Sequence, residues 1–246
     1  MTNRYWKIDF VRGIAIIMVI VFHLFFDLNY FGILENSMYS GFWLVFQRIT
    51  ASLFIGLVGV SLVLSFERIK NSKKFSGKTL FPKFLKRGLF LFAVALVITA
   101  ATWIYPHKGF IVFGIIHFIA LSVILGYFFL RFYKLNLILG IGTIIAGLWF
   151  STITINSNLF FWLGLTFPGF NSLDYFPLFP WFGIVLIGLF AGKHLIKNYQ
   201  NQLGIEKPKL PVINFMTFIG RKTLIIYLLH QPVIIGLIMV YLTLIL

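Results

Sequence analysis

Long apolar runs, separated by short polar segments, dominate the sequence. Each run is at least as long as the stretch of about 18–20 residues that a helix needs to cross the hydrocarbon core of a bilayer. The pattern predicts an all-α, polytopic transmembrane helix bundle with about seven spans, built as a single domain over residues 1–246. The predicted spans are 10–29, 41–66, 88–105, 109–130, 135–155, 175–192 and 223–246.

Basic residues lie mainly in the short segments between these runs. The chain has a net charge of +15, with 60% hydrophobic and only 11% charged residues. Segments 67–87, 131–134 and 193–209 are basic, whereas the segments between the other spans carry almost no positive charge. This distribution is typical of topology signals and anionic-lipid contacts rather than of nucleic-acid binding. It predicts an N-in, C-out orientation, a retained first helix and no nucleic-acid partner.

Cysteine is absent from the sequence, which excludes disulfides and thiolate chemistry. The histidines lack the spacing that presents two metal ligands on one helix face, so no metal site is predicted. There is also no phosphate-binding glycine loop and no GxSxG motif. Phosphate recognition would therefore depend on arginine, lysine and helix ends.

Ionisable side chains recur inside the apolar spans, although each costs about 2.5–3.5 kcal/mol to insert at the centre of a bilayer. His23 and Asp27 are four residues apart, so on a helix they share one face. Further polar groups on other spans lie at similar predicted depths, which favours a shared, partly hydrated cavity. These further groups are Arg48, His117, Asp174, His230 and Gln231.

Each of these residues also has a purely structural explanation. His23 and Asp27 are also consistent with a hydrogen-bonded pair that only neutralises two buried groups. Arg48 is consistent with a counter-ion for Asp27, and His117 with a donor between helices. Asp174 precedes two prolines, so it is also consistent with a helix start.

The chemistry that these groups suit best is acyl transfer. A histidine held by a carboxylate is a workable general base near neutral pH, and we expect Asp27 to orient His23. Arg48 or His117 would stabilise an oxyanion. The same groups suit a proton-coupled small-molecule transporter or exporter with His23 and Asp27 as the relay. A non-catalytic scaffold is the third alternative.

Three sequence blocks resemble the heparan-alpha-glucosaminide N-acetyltransferase catalytic-domain family. They are "RYWKIDFVRGIAIIMVIVFHLFFDLNYFG" at the start, "DYFPLFPWFGIVLIGLFAGK" in the sixth predicted span and "FIGRKTLIIYLLHQPVI" in the last. The first block is also similar to the wider superfamily of transmembrane acyltransferases. The resemblance implies a membrane enzyme that takes acetyl from cytoplasmic acetyl-CoA and delivers it to an amino sugar across the membrane. By position, the family motifs fall on Arg12, Gly13, His23, Asp174, Pro177, Pro180, Trp181, His230, Gln231 and Pro232.

Together the residues and the resemblance predict an acetyl-CoA-dependent acyltransferase acting on a hydroxyl or amine of a sugar-type acceptor on the outer side. Direct transfer and an acyl-histidine intermediate are both consistent with the sequence. The expected location is a prokaryotic cell membrane, and the expected partners are the bilayer, acetyl-CoA and a glycan or amino-sugar acceptor, with a homodimer as a candidate assembly. The predicted catalytic residues are His23, Asp27, His117 and Arg48. The predicted substrate- and donor-binding residues are Arg12, Asp174, Trp181, Arg221, His230 and Gln231, with Lys83, Lys86, Arg87 and Lys222 as further contacts for the donor's phosphates.

Overall fold

The computed structural model describes residues 5–72, 79–203 and 206–245, and this part of the chain is mainly helical. The all-helical prediction is confirmed. The helices are α1 (Trp6–Tyr30), α2 (Gly41–Lys70), α3 (Phe81–Ile104), α4 (Ile115–Phe129), α5 (Lys134–Phe150), α6 (Leu178–Leu203), α7 (Pro211–Arg221) and α8 (Thr223–Ile245), with a 3₁₀ turn at Phe161–Leu163. Parts of two predicted basic segments, residues 73–78 and 204–205, lie outside the described residues, as does Arg4.

Five of the described helices, α1, α2, α3, α6 and α8, are long and apolar enough to cross a membrane. Helices α4 and α5 are also apolar, but they have only 15 and 17 residues. At a rise of about 1.5 Å per residue they span less than the roughly 30 Å of a hydrocarbon core. The chain is a membrane protein; the count of about seven spans and the N-in orientation stay predictions.

Helix α4 begins six residues after the predicted start of its span. The chain before it is not helical and instead pairs with the segment that leads into α6. The amide of Leu173 donates to the carbonyl of Gly109, and the amide of Phe176 donates to that of Phe113. These bonds satisfy backbone groups outside the helix.

Helix α7 lies where the sequence indicated a loop. It begins at Pro211, a residue well suited to the first turn of a helix because its fixed φ is helical and it needs no amide partner. Thr217 and Gly220 are buried, whereas Phe215 and Phe218 are exposed. With 11 residues, α7 is too short to have produced an apolar run of membrane-spanning length.

The described helices form two compact units. The first contains the described parts of Met1–Phe54 and Tyr199–Leu246, and the second is Ile55–Asn198. In the first unit, α1 packs against α7 and α8. Gly13 of α1 faces the main chain of Met216, and Gly220 of α7 faces the carbonyl of Asp9, so a Cβ at either glycine would overlap backbone atoms. The absence of these two Cβ atoms allows the two helices to approach closely.

Close glycine contacts also hold the second unit together. Gly59 of α2 lies against the carbonyl of Val185 in α6. Gly140 of α5 and Gly183 of α6 each face the other's carbonyl oxygen. Small residues that let backbones approach are the usual basis of helix association in lipid, where apolar burial gives little drive.

Candidate functional site

The first unit holds a buried polar cluster between α1 and α8. Asp27 is 4% exposed. Both of its carboxylate oxygens accept hydrogen bonds from Nε2 of Gln231, each at 2.9 Å. A charged acceptor makes these bonds stronger than those between neutral groups. They tie the C-terminal part of α1 to α8.

The expected hydrogen bond between His23 and Asp27 is not formed. Asp27 accepts from Gln231, and Nδ1 of His23 is buried without a hydrogen-bond partner among the described residues. The prediction that Asp27 orients His23 directly is therefore wrong for this conformation. The physical reason is that the facing helix supplies an amide donor that spans the carboxylate. Nothing in the sequence of α1 could have indicated this donor.

His230 completes the cluster. Its ring centroid lies 5.0 Å from that of His23, with the two rings inclined at 62°. Nδ1–H of His230 donates to the carbonyl of Tyr227 at 2.5 Å. In the neutral ring this bond leaves the lone pair on Nε2. That atom is buried and has no partner within the described ranges.

Gln231 adds a third such atom, because its Oε1 is also buried and without a partner in the part of the chain that the structure describes. Leaving a buried polar atom unpaired costs about 1–3 kcal/mol, so such atoms are rare in proteins and each needs an explanation. Two imidazole nitrogens and one amide oxygen lie on α1 and α8 beside a carboxylate. This arrangement can accept hydrogen bonds and protons from a bound molecule.

Arg48 lies on α2 in the same unit, and its side chain is exposed. Its predicted role in stabilising an oxyanion stays a prediction.

A second group of charges lies at the beginning of α1. Asp9 is almost fully buried, and its Oδ1 lies 2.6 Å from Nη1 of Arg12. Its Oδ2 lies 3.4 Å from Nε of Arg221 at the end of α7. Two of the residues predicted to bind the donor are thus brought together by an acid that the sequence analysis missed. The signal was present, because Asp9 and Arg12 are three residues apart and share a helix face.

The second unit contains His117, whose ring nitrogens both have partners. Nδ1 accepts from the amide of Gly114 at 3.3 Å. Nε2 lies 3.3 Å from the hydroxyl of Thr99, which itself donates to the carbonyl of Ile111 at 2.7 Å. His117 therefore donates from Nε2 and caps the start of α4. Its catalytic assignment stays a prediction, and its contacts are those of a structural residue.

Asp174 lies in the segment before α6 and caps the same helix. Its Oδ2 accepts from the amide of Ile115 at 2.9 Å. A carboxylate is favourable there because unpaired amides and the helix dipole give a helix N-terminus positive character. Burial raises the pKa of Asp174 to about 6, against the opposing effect of the bond from Ile115. A Cβ at Gly114 would overlap the carboxylate, so glycine leaves the space that Asp174 occupies.

Trp181 is buried near the start of α6, 4.8 Å from the ring of Phe176 between centroids. Its predicted contact with substrate stays a prediction. An open depression of about 570 Å³ lies in the segment before α6 and is lined in part by Asn156, Asn158 and Phe167. None of the predicted site residues lines it. Within residues 5–72, 79–203 and 206–245, no cluster of three or more His, Cys, Asp or Glu could hold a metal ion.

Comparison with known proteins adds one finding. Residues 4–232 match the family model described as "Heparan-alpha-glucosaminide N-acetyltransferase, catalytic", which covers most of the 246-residue chain. No curated protein matches the chain, and no solved structure does. The matched range includes every residue predicted for the site.

Proposed function

Because the chain belongs to the heparan-alpha-glucosaminide N-acetyltransferase catalytic family, we propose that it transfers acetyl from acetyl-CoA to an amine or hydroxyl of a sugar-type acceptor. Family membership confirms the resemblance drawn from the three sequence blocks and implies a membrane acetyltransferase. The donor, the acceptor class and placement in a prokaryotic cell membrane are parts of the proposal. The transporter alternative has no support from the family.

One observation carries the proposal. The buried cluster on α1 and α8 presents one nitrogen each of His23 and His230 that has no partner among the described residues, within one pair of neighbouring rings. Acyl transfer needs a group that removes a proton from the acceptor as it attacks the acetyl carbonyl. An imidazole with a free lone pair in a buried site is suited to that step.

In the proposed reaction, the acceptor X–H gives its proton to Nδ1 of His23 while X forms a bond to the acetyl carbon. The C–S bond of the thioester then breaks, and the imidazolium returns the proton to the CoA thiolate. Asp27 contributes by its negative charge, which stabilises the imidazolium from one helical turn away. Gln231 holds Asp27 in place through the two 2.9 Å hydrogen bonds.

The donor's phosphates would bind at the other end of the same helix. Arg12 and Arg221 converge on Asp9 there, and both arginine side chains are partly exposed. Guanidinium groups bind phosphate well because they offer planar, paired N–H donors. The exposed Lys222 follows Arg221 directly and adds positive charge.

The test is an acetyl-transfer assay with detergent-purified protein, radiolabelled acetyl-CoA and glucosamine as the probe acceptor. Mass spectrometry identifies the product, and mild alkali distinguishes O-acetyl groups, which it removes, from N-acetyl groups. We expect transfer by the wild type and a large loss in His23→Ala. The matched control is His107→Ala, which removes an exposed histidine outside the described helices.

Calorimetry of acetyl-CoA binding to the same preparations gives a second measurement. Saturable binding, weakened by Arg12→Ala, is the expected result. Folded wild-type protein that neither binds acetyl-CoA nor acetylates glucosamine would contradict the proposal. Equal turnover in His23→Ala and His107→Ala would instead remove His23 as the base.

A further inference from the structure

We propose that Asp9 is a positioning residue that holds the guanidinium groups of Arg12 and Arg221 in the arrangement that binds phosphate groups of the acetyl donor. The inference rests on the proposed function and extends it to a residue with no assigned role. Asp9 is 1% exposed and contacts both arginines. It acts on the donor through them, because its own side chain is buried.

The two arginines come from different helices. Arg12 lies one turn into α1 from Asp9, whereas Arg221 is the last residue of α7. Asp9 contacts Nη1 of the first guanidinium and Nε of the second. One carboxylate thus fixes the relative placement of two cationic groups that are 209 residues apart in sequence.

Backbone contacts make this placement specific. Gly220 directly precedes Arg221, and it faces the carbonyl oxygen of Asp9 so closely that a Cβ would overlap it. Gly13 directly follows Arg12 and faces the main chain of Met216 in the same way. Each arginine therefore follows or precedes a glycine that fixes the register between α1 and α7. The salt bridges are built into the tightest part of the helix contact.

The charges of these three side chains sum to +1, since two arginines share one carboxylate. The side chains of Arg12 and Arg221 are 26% and 45% exposed. Each guanidinium is a planar group of N–H donors that suits an oxyanion, and both are partly open to one.

The surroundings add further positive charge. Lys222 is exposed and follows Arg221. Lys207 lies with its Nζ 3.5 Å from the hydroxyl of Thr217 on α7. The shared chemistry that this cluster fits is a phosphate ester. Such a group could come from the donor or from the headgroup of an anionic lipid.

The decisive experiment compares two donors that share the thioester and the pantetheine arm, of which only one carries the phosphorylated nucleotide. Acetyl-CoA carries a pyrophosphate and a 3′-phosphate, whereas S-acetylpantetheine has the same thioester and no phosphate. Initial rates with glucosamine are measured for the wild type, Asp9→Asn and Asp9→Glu in neutral phosphatidylcholine nanodiscs. Glu35→Gln, in an exposed segment, is the matched acid-to-amide control.

We expect Asp9→Asn to raise the KM for acetyl-CoA by about 10-fold or more, because the arginines lose their fixed placement. Its kcat for acetyl-CoA and its kcat/KM for S-acetylpantetheine should stay within about twofold of the wild type, since uniform binding alone is lost. Asp9→Glu should recover part of the acetyl-CoA effect. An equal loss with both donors would show a structural role and overturn the proposal.

A double-mutant cycle covers the case in which Asp9→Asn fails to fold. Arg221→Gln should itself raise the KM for acetyl-CoA selectively, and Asp9→Glu should change that KM less in the Arg221→Gln background than in the wild type. Independent, additive effects would overturn the inference.

Repeating the comparison with anionic nanodiscs identifies the source of the phosphate. If Asp9→Asn changes rates only in anionic lipid, and equally for both donors, the cluster binds lipid headgroups and the proposal is wrong. Failure of the wild type to use either donor would instead contradict the proposed function itself. The two failures are therefore distinguishable.

Discussion

Asp27 in the first unit and Asp174 in the second both accept hydrogen bonds from another segment of their unit, yet their neighbourhoods differ in one respect. Around Asp174, the amide of Ile115 meets the carboxylate, and both ring nitrogens of His117 have partners. Around Asp27, three buried polar atoms of neighbouring side chains have none within the described ranges.

Whether the buried polar atoms have partners distinguishes a structural cluster from a functional one better than the types of residue do. Both clusters contain an aspartate and a histidine, and the sequence predicted a functional role for each of these four residues. A cluster whose hydrogen-bonding groups are all satisfied has nothing to offer a ligand and serves to cap and connect helices. A cluster that keeps unpaired buried polar atoms, despite their cost in folding free energy, is suited to bind a ligand that pairs with them.

The largest effects are expected when each of the two histidines is replaced by alanine. His23→Ala should lower kcat for acetyl transfer by about 10²–10⁴-fold, the usual contribution of a general base, with little change in the midpoint of thermal unfolding. His117→Ala should do the reverse, lowering the midpoint while turnover of the folded fraction falls far less. Thermal unfolding followed by circular dichroism, beside the glucosamine assay, measures both. Comparable kinetic losses in the two variants would erase the distinction.

Gly114→Ala should disturb the Asp174 cluster alone. The added Cβ would overlap the carboxylate of Asp174, so the free energy of unfolding should fall by about 1–3 kcal/mol, as in other overpacked sites. Gly142→Ala is the matched control, because nothing lies within 4 Å of a Cβ built there. Because Gly142 lies within α5, alanine there should be neutral or should stabilise the fold by up to about 1 kcal/mol. Denaturant unfolding in mixed micelles tests the pair, and equal effects would refute the overlap.

Gln231→Leu should destabilise the Asp27 cluster by leaving the carboxylate without its donor. Removing a hydrogen bond to a charged group costs about 1.5–3 kcal/mol. Asp27→Asn should relieve much of that cost, so the double variant should be more stable than the sum of the single changes predicts. Additive losses in unfolding free energy would indicate that the two side chains do not depend on each other.

The narrowest expected effect is a change of stability confined to one range of pH. Burial raises the pKa of Asp174 to about 6 from an ordinary value of 3.8, so the folded state holds more protons than the unfolded state between these values. The contribution of Asp174 to stability is therefore greatest below about pH 4 and falls until about pH 6. Asp174→Asn should flatten this part of the midpoint-against-pH curve, whereas Glu35→Gln should leave it unchanged. A wild-type slope retained in Asp174→Asn would contradict the assignment.

The long helices were predictable because apolar length alone reports a membrane span. Helix α7 was not, since it is short and follows a lysine- and proline-containing segment. Periodicity along α1 placed His23 and Asp27 on one face, but it carried no information about the amide that α8 would bring to Asp27. Hydrogen-bond partners from distant segments depend on helix packing, which a single sequence does not encode locally.

The donor cluster was predicted in part for the same reason. Positive charge near the ends of helices identified Arg12 and Arg221 as separate phosphate contacts. Their convergence on Asp9 depends on α7, the helix that the sequence did not reveal. Asp9 itself was hidden among the charged residues that precede the first span, where an acid is ordinarily solvated.

Helix α1 is uninterrupted from Trp6 to Tyr30, so it fixes the distance between any two residues along it. Arg12 and His23 are eleven residues apart, so the helix sets about 16 Å between the phosphate contact and the base. Under the proposed function, this distance selects donors by the length of the arm between phosphate and thioester. A shorter or longer arm would place the thioester carbonyl away from the imidazole. Inserting one residue between Arg12 and His23 would lengthen this distance by only about 1.5 Å but would rotate His23 about the helix axis by about 100°. The same helix would therefore set both the length of donor that fits and the direction in which the His23 ring faces its carbonyl.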